Sequence, residues 1–182
     1  MDNIFLIGPM GSGKTTLGRR IAPRFDLEFV DLDEELERRC GVEVAVIFDI
    51  EGEQGFRERE GRLLAEIAQT PGQLVATGGG SVLAPANRGV IRDSGFVVWL
   101  NATVDQQIRR LERDKRRPLL AAPDRRQRLT AMAEERNPIY ASLADAVFDS
   151  SNRPLHRMAD ALERTIRDSL SADANLQCPS LN

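Results

Sequence analysis

Eight consecutive residues, Gly8-Pro9-Met10-Gly11-Ser12-Gly13-Lys14-Thr15, constrain this chain more than any other stretch. They match the spacing G-x-x-x-x-G-K-[ST], and the flanking sequence agrees with it. Before them runs Asn3-Ile4-Phe5-Leu6-Ile7, which reads as a strand buried on both faces. After them Leu17 and Ile21 recur at helical spacing. A strand that feeds a glycine-rich turn and then a helix is a phosphate cradle. Glycine lets the backbone curl so that successive N–H groups point inward, and the helix N-terminus adds positive potential. Lys14 can then neutralise β and γ phosphate oxygens, and Thr15 can offer its hydroxyl to Mg²⁺. Gly11, Ser12, Gly13 and Thr16 complete the expected nucleotide contacts. A plain glycine turn with an incidental lysine fits this context poorly. A dinucleotide site is excluded, because Thr16 stands where G-x-G-x-x-G requires its third glycine.

The remaining pattern alternates strand with helix. Strand-like apolar runs fall at 3–7, 28–31, 73–77, 95–100 and 146–149. Helical patterns fall at 14–23, 33–40, 44–50, 51–68, 85–92, 103–113 and 124–136. A last helix follows the stripe Leu155, Met158, Ala159, Leu162, Ile166 and Leu170. This order predicts an α/β architecture with a parallel sheet and right-handed crossovers. A length of 182 residues suits one domain, placed at 1–170, with the polar stretch 171–182 expected to be a flexible tail.

No apolar run approaches the ~20 residues of a membrane span, and no basic segment precedes the first strand. Neither a membrane anchor nor a signal peptide is expected. Net charge of −3 gives no case for a nucleic-acid partner. Cys40 and Cys178 have neither metal spacing nor the look of a disulfide framework, so the cytoplasm is the expected compartment. The charge distribution is less even than the total. Between Arg109 and Arg128 lie nine basic residues against three acidic ones, and the only lysines in the chain are Lys14 and Lys115. That stretch reads either as a solvated helix face or as a basic flap that meets polyphosphate.

Two further motifs sit at strand ends, where ligands of open α/β sheets bind. Asp31-Leu32-Asp33 closes the second strand. One carboxylate could serve Mg²⁺ or its water, and the other could accept a hydroxyl proton or hold the acceptor. Equally, Asp33 could simply cap the helix that follows. Gly78-Gly79-Gly80 follows the third strand and permits close approach of backbone to a ligand, or makes a plain turn. Arg57 and Arg136 are candidate clamps for a carboxylate, since a guanidinium fork matches one in bidentate fashion.

Taken in order, the motifs resemble the shikimate kinase family over nearly the whole chain. The series runs through the phosphate loop, Asp31-Leu32-Asp33, Gly41 to Ile47-Phe48, Gly52-Glu53, Phe56-Arg57, Glu60, Gly78-Gly79-Gly80, Arg117-Pro118-Leu119-Leu120 and Arg136-Asn137-Pro138-Ile139-Tyr140. The resemblance implies a P-loop NTPase of the nucleoside-monophosphate-kinase-like kind, three-layer α/β/α, with a five-stranded parallel sheet and a mobile lid near 112–124. It implies ATP- and Mg²⁺-dependent phosphorylation of the shikimate 3-hydroxyl, on the route to chorismate and aromatic amino acids, by a monomer. By motif position Asp33, Arg57, Gly78, Gly79, Gly80 and Arg136 would hold shikimate. Lys14 and Arg117 would act on the transferring phosphoryl group, and Asp33 would be a candidate base. Thr15 would bind Mg²⁺, with Asp31 beside the metal through water. Arg110 would lie beside adenine and Arg153 near the nucleotide. Gluconate kinase shares the loop and the fold, and its acceptor also carries a carboxylate. A nucleotide-binding regulator that lost catalysis would be expected to show a broken loop, Asp33 or Arg117, and all three are intact.

Overall fold

The computed structural model describes residues 2–112, 124–150 and 154–176. Within them β1 (Asn3–Ile7) leads through the phosphate loop into α1 (Lys14–Ile21), followed by a 3₁₀ turn (Ala22–Phe25) and β2 (Glu28–Asp31). Then come α2 (Leu32–Cys40), α3 (Val44–Ala68), β3 (Gln73–Ala76), a second 3₁₀ turn (Ser81–Leu83) and α4 (Pro85–Asp93). The chain continues with β4 (Gly95–Asn101), α5 (Val104–Leu111), α6 (Arg125–Leu143), β5 (Ala146–Asp149) and α7 (Leu155–Leu176).

The five strands form one parallel sheet in the order β2-β3-β1-β4-β5. β1 is central and wholly buried, flanked by β3 and β4 through pairs such as Phe5–Val75 and Phe5–Val97. Side chains alternate across the sheet, and this divides the core in two. Ile4 and Leu6 join Leu17, Ile21, Leu162 and Ile166 beneath α1 and α7. Phe5 and Ile7 join Leu36, Phe56, Leu64, Ile91 and Tyr140 beneath α2, α3, α4 and α6. Helices therefore cover both faces, the three-layer arrangement expected of the sequence. Because every strand runs the same way, the residues that follow β1, β2 and β3 emerge at one edge.

Several boundaries differ from the sequence reading. The first helix gives way at Ala22 to a 3₁₀ turn with Pro23 in its first turn. The patterns at 44–50 and 51–68 are two helices, as expected, and α3 is the pair of them joined across Gly52, whose φ of 70° and ψ of −176° are not helical and suit glycine. α6 was expected to stop at Arg136 before Pro138, yet it continues to Leu143. Burial of Tyr140 and Leu143 in the core offsets the hydrogen bond that proline cannot donate. The expected tail begins too early in the sequence reading, for α7 runs on through 171–176. Residues 113–123, which hold nearly all of the expected lid and Arg117, lie outside the described residues, and so does Arg153.

Candidate active site

The phosphate loop takes its shape from three glycines at positive φ: Gly8 at 138°, Gly11 at 72° and Gly13 at 95°. A Cβ on Gly8 would run into the Leu100 carbonyl of β4, so the loop lies close over the sheet edge. Gly13, left-handed, stands at the N-cap of α1 and turns the chain into the helix. Lys14 is 9% exposed, and its Nζ donates to Gly8 O at 2.7 Å and Pro9 O at 2.9 Å. It therefore arches back over its own loop. Thr16 faces solvent on the first turn of α1.

Asp31 joins the loop to the end of β2. Its Oδ2 accepts from Thr15 Oγ1 at 2.6 Å, while its Oδ1 accepts from the backbone N–H groups of Asp33 and Glu34. The cap of α2 is thus Asp31, and Asp33 sits inside the first turn. This corrects the expectation that Asp33 could be the capping residue and releases its carboxylate from that task. Thr15 and Asp31 form an oxygen-only pair beside the phosphate loop. That donor chemistry fits a hard cation such as Mg²⁺, which binds few protein groups directly and keeps waters. Among the described residues no group of three His, Cys, Asp or Glu side chains is placed to hold a metal.

The triple glycine links the two halves of the site. A Cβ on Gly79 would lie 3.3 Å from Met10 N, which places this turn directly against the phosphate loop. A Cβ on Gly78 would lie 3.1 Å from Asp33 Oδ1 and 2.6 Å from Glu60 Oε1. One on Gly80 would collide with the Arg57 guanidinium. Arg136 Nη1 donates to Gly79 O at 3.4 Å, and the side chain is largely buried. Asp33, Arg57 and Arg136, far apart in sequence, thus converge on three successive glycines beside the phosphate loop.

Two supporting residues carried no role in the sequence reading. Glu60 is 1% exposed; its Oε2 accepts from Arg57 Nη1 at 2.7 Å and its Oε1 accepts from Ser81 Oγ at 2.5 Å. It fixes the Arg57 fork from below. Tyr140 is fully buried, and its hydroxyl donates to Gly79 O at 2.5 Å. Burial pushes its pKa up to about 12, so it remains a donor across the working pH range. The available signals were helical spacing: Glu60 lies three residues after Arg57, and Tyr140 four after Arg136.

Arg110 lies on the other side of the loop. Its Nη1 donates to Gly11 O at 2.9 Å and to Ser150 Oγ at 2.7 Å, and its Nη2 to Ser150 O at 3.0 Å. Its pKa is lowered by burial first and by neighbouring Arg109 second.

A family model described as "Shikimate kinase" matches residues 10–167. The chain belongs to the shikimate kinase family. A shikimate kinase of Bordetella avium is 50% identical over 159 residues, covering 87% of this chain and 76% of the relative. A solved structure of shikimate kinase from Acinetobacter baumannii in complex with shikimate superposes with a TM-score of 0.88 at 38% identity, covering 92% of this chain and 94% of that one. A gluconokinase structure from Sinorhizobium meliloti reaches a TM-score of 0.57 at 18% identity, a likeness of fold alone. The resemblance read from the ordered motifs is borne out, as is the five-stranded parallel α/β sheet. Shikimate kinases are ATP-dependent kinases that phosphorylate shikimate, and this chain is one by family. No helix among the described residues is long and apolar enough to cross a membrane.

Proposed function

We propose that this chain moves the γ-phosphoryl group of ATP onto the 3-hydroxyl of shikimate, giving shikimate 3-phosphate and ADP, in the cytoplasm and as a monomer. The product lies on the route to chorismate and the aromatic amino acids. The observation that carries this reading is the placement of Gly79. It touches the phosphate loop at Met10, and its neighbours touch Asp33 and Arg57. A triphosphate on the loop and a carboxylated acceptor on the arginines would therefore share one cleft.

The roles follow from the chemistry. Phosphoryl transfer asks the protein mainly for position and charge stabilisation. Main-chain N–H groups of the loop cradle the phosphates, and Lys14 swings from Gly8 O and Pro9 O onto the β and γ oxygens. Gly11, Ser12, Gly13 and Thr16 complete that cradle. Arg57 and Arg136 grip the shikimate carboxylate, with Gly78, Gly79 and Gly80 allowing the ring to come close. Asp33 orients the acceptor hydroxyl. As the acceptor oxygen bonds to the γ-phosphorus and the bond to the bridging oxygen of ADP breaks, Asp33 takes the released proton. Thr15, with Asp31 through water, would hold Mg²⁺, whose charge offsets that of the β and γ phosphates. Arg117 and Arg153, outside the described residues, are assigned to the transferring phosphoryl and the nucleotide by motif position, and Arg110 to the adenine side.

A coupled ADP-release assay with Mg-ATP, run with shikimate, gluconate and AMP in parallel, tests the reading. Turnover is expected with shikimate and not with the other two. Lys14→Ala is expected to lower kcat by at least about a hundredfold. Arg57→Ala is expected to raise the KM for shikimate by roughly tenfold or more. Turnover on gluconate without turnover on shikimate would replace the acceptor assignment.

A further inference from the structure

Ser150 directly follows β5, and the phosphoryl-transfer reading gives it no task. It is 1% exposed. Its hydroxyl donates to Ser12 O at 2.7 Å and accepts from Arg110 Nη1 at 2.7 Å. Its carbonyl accepts from Arg110 Nη2 at 3.0 Å, and its own N–H donates to Asn101 O at 2.8 Å at the end of β4. Arg110 in turn donates to Gly11 O at 2.9 Å and Ser12 O at 3.4 Å. Two successive carbonyls of the phosphate loop are therefore held from outside by one buried serine and one arginine, and the serine is itself tied to the sheet.

Peptide planarity turns this anchoring into aim. In a trans peptide the C=O of one residue and the N–H of the next point in opposite directions. Holding Ser12 O toward Ser150 directs the Gly13 N–H away from Ser150. Gly13 is the N-cap of α1, at φ 95° and ψ 17°, where the absence of a Cβ leaves the peptide easily reoriented. Gly13 has no Cβ to hold this peptide in place, and the hydrogen bonds to Ser12 O come from outside the loop. From this geometry we infer that Ser150, together with Arg110, is a positioning residue that fixes the peptide plane between Ser12 and Gly13, so that the Gly13 N–H meets the nucleotide phosphates without rearrangement.

The inference rests on the nucleotide reading above, and the experiment separates the two. MgADP and shikimate are titrated separately by calorimetry into the wild-type chain, Ser150→Ala and Ser150→Cys. Cysteine keeps the shape of serine, with a somewhat larger Sγ, but has a weak S–H donor. Both variants are expected to weaken MgADP binding by about fivefold to tenfold, as a lost buried hydrogen bond would. The shikimate Kd is expected to stay within about twofold, because the acceptor side is held by different residues. In the coupled assay the KM for ATP should rise with little change in the KM for shikimate. Wild-type MgADP affinity in Ser150→Ala would overturn the inference. So would wild-type affinity in Ser150→Cys beside weakened Ser150→Ala, since that pattern marks packing rather than hydrogen bonding. Equal weakening of both ligands would mark a general structural defect and overturn it too. Failure of the wild-type chain to bind MgADP would instead bring down the nucleotide reading itself.

Discussion

Both carboxylate oxygens of Glu60 are engaged beneath the triple glycine, one by Arg57 and one by Ser81. A guanidinium held this way reaches its ligand with little left to lose in side-chain freedom, which is how a buried partner contributes affinity without touching substrate. Glu60→Gln is therefore expected to raise the KM for shikimate by about tenfold and leave the KM for ATP within about twofold, as steady-state rates would show. Asp33→Asn tests a different assignment. If Asp33 takes the proton, kcat at saturating shikimate should fall by about a hundredfold. Near-native kcat would leave it only an orienting role. Much of the site at this scale was legible in the sequence. Lys14 and Thr15 follow from a motif whose geometry is local, and the Asp31–Asp33 pair sits at a recognisable strand end. Glu60 and Tyr140 were not legible as supports, because an acidic or aromatic residue three or four places along a helix is common. Only the fold decides that Gly79 and Gly80 lie between them. Asp31 shows the same limit, since the sequence offers Asp33 as the cap of α2 and only the backbone turn at Leu32 gives that task to Asp31.

Among the helices, α2 and α3 are joined by an ion-pair network on their outer surface. Arg38 and Arg39 both donate to Glu35, and Arg39 reaches across to Glu66. The Arg38 and Arg39 guanidinium groups hold the Glu35 carboxyl down at about 2, against an ordinary 4.5. A depressed carboxyl contributes stability that is fully present above its unfolded value and is lost as pH falls through its folded one. This contribution should therefore fade between about pH 4.5 and about pH 2. Denaturant titrations of Glu35→Gln across that window should show a flatter pH dependence than the wild-type chain. Gly52 belongs to the same element. At φ 70° and ψ −176° it occupies a region that other residues avoid, so Gly52→Ala should destabilise the chain by about 1–3 kcal/mol. The patterns at 44–50 and 51–68 are legible in the sequence as two helices. The structure keeps them as two, joined directly at Gly52. The ends of α6 and α7 were misjudged. Local signals such as Pro138 and the polar run after Leu170 argue for a stop, whereas packing of Tyr140 carries α6 past its proline.

Across the whole molecule, the order β2-β3-β1-β4-β5 explains why distant motifs meet. β1 is flanked by β3, and β3 by β2, so the segments leaving their carboxyl ends lie side by side: the phosphate loop, the triple glycine and Asp31-Leu32-Asp33. Alternation in the sequence made the sheet and its parallel sense readable. The position of β3 between β1 and β2 is a long-range pairing that periodicity does not encode, and the meeting of Arg57 and Arg136 at the triple glycine after β3 depends on it. The central claim is that this meeting makes an acid-binding clamp opposite a nucleotide anchor. A crystal structure of the chain with MgADP and shikimate tests it most directly. The account predicts the shikimate carboxylate between Arg57 and Arg136, its 3-hydroxyl at Asp33, and the ADP phosphates on the amides of the loop ending in Thr15. Shikimate bound elsewhere, or with its carboxylate away from both arginines, would contradict it.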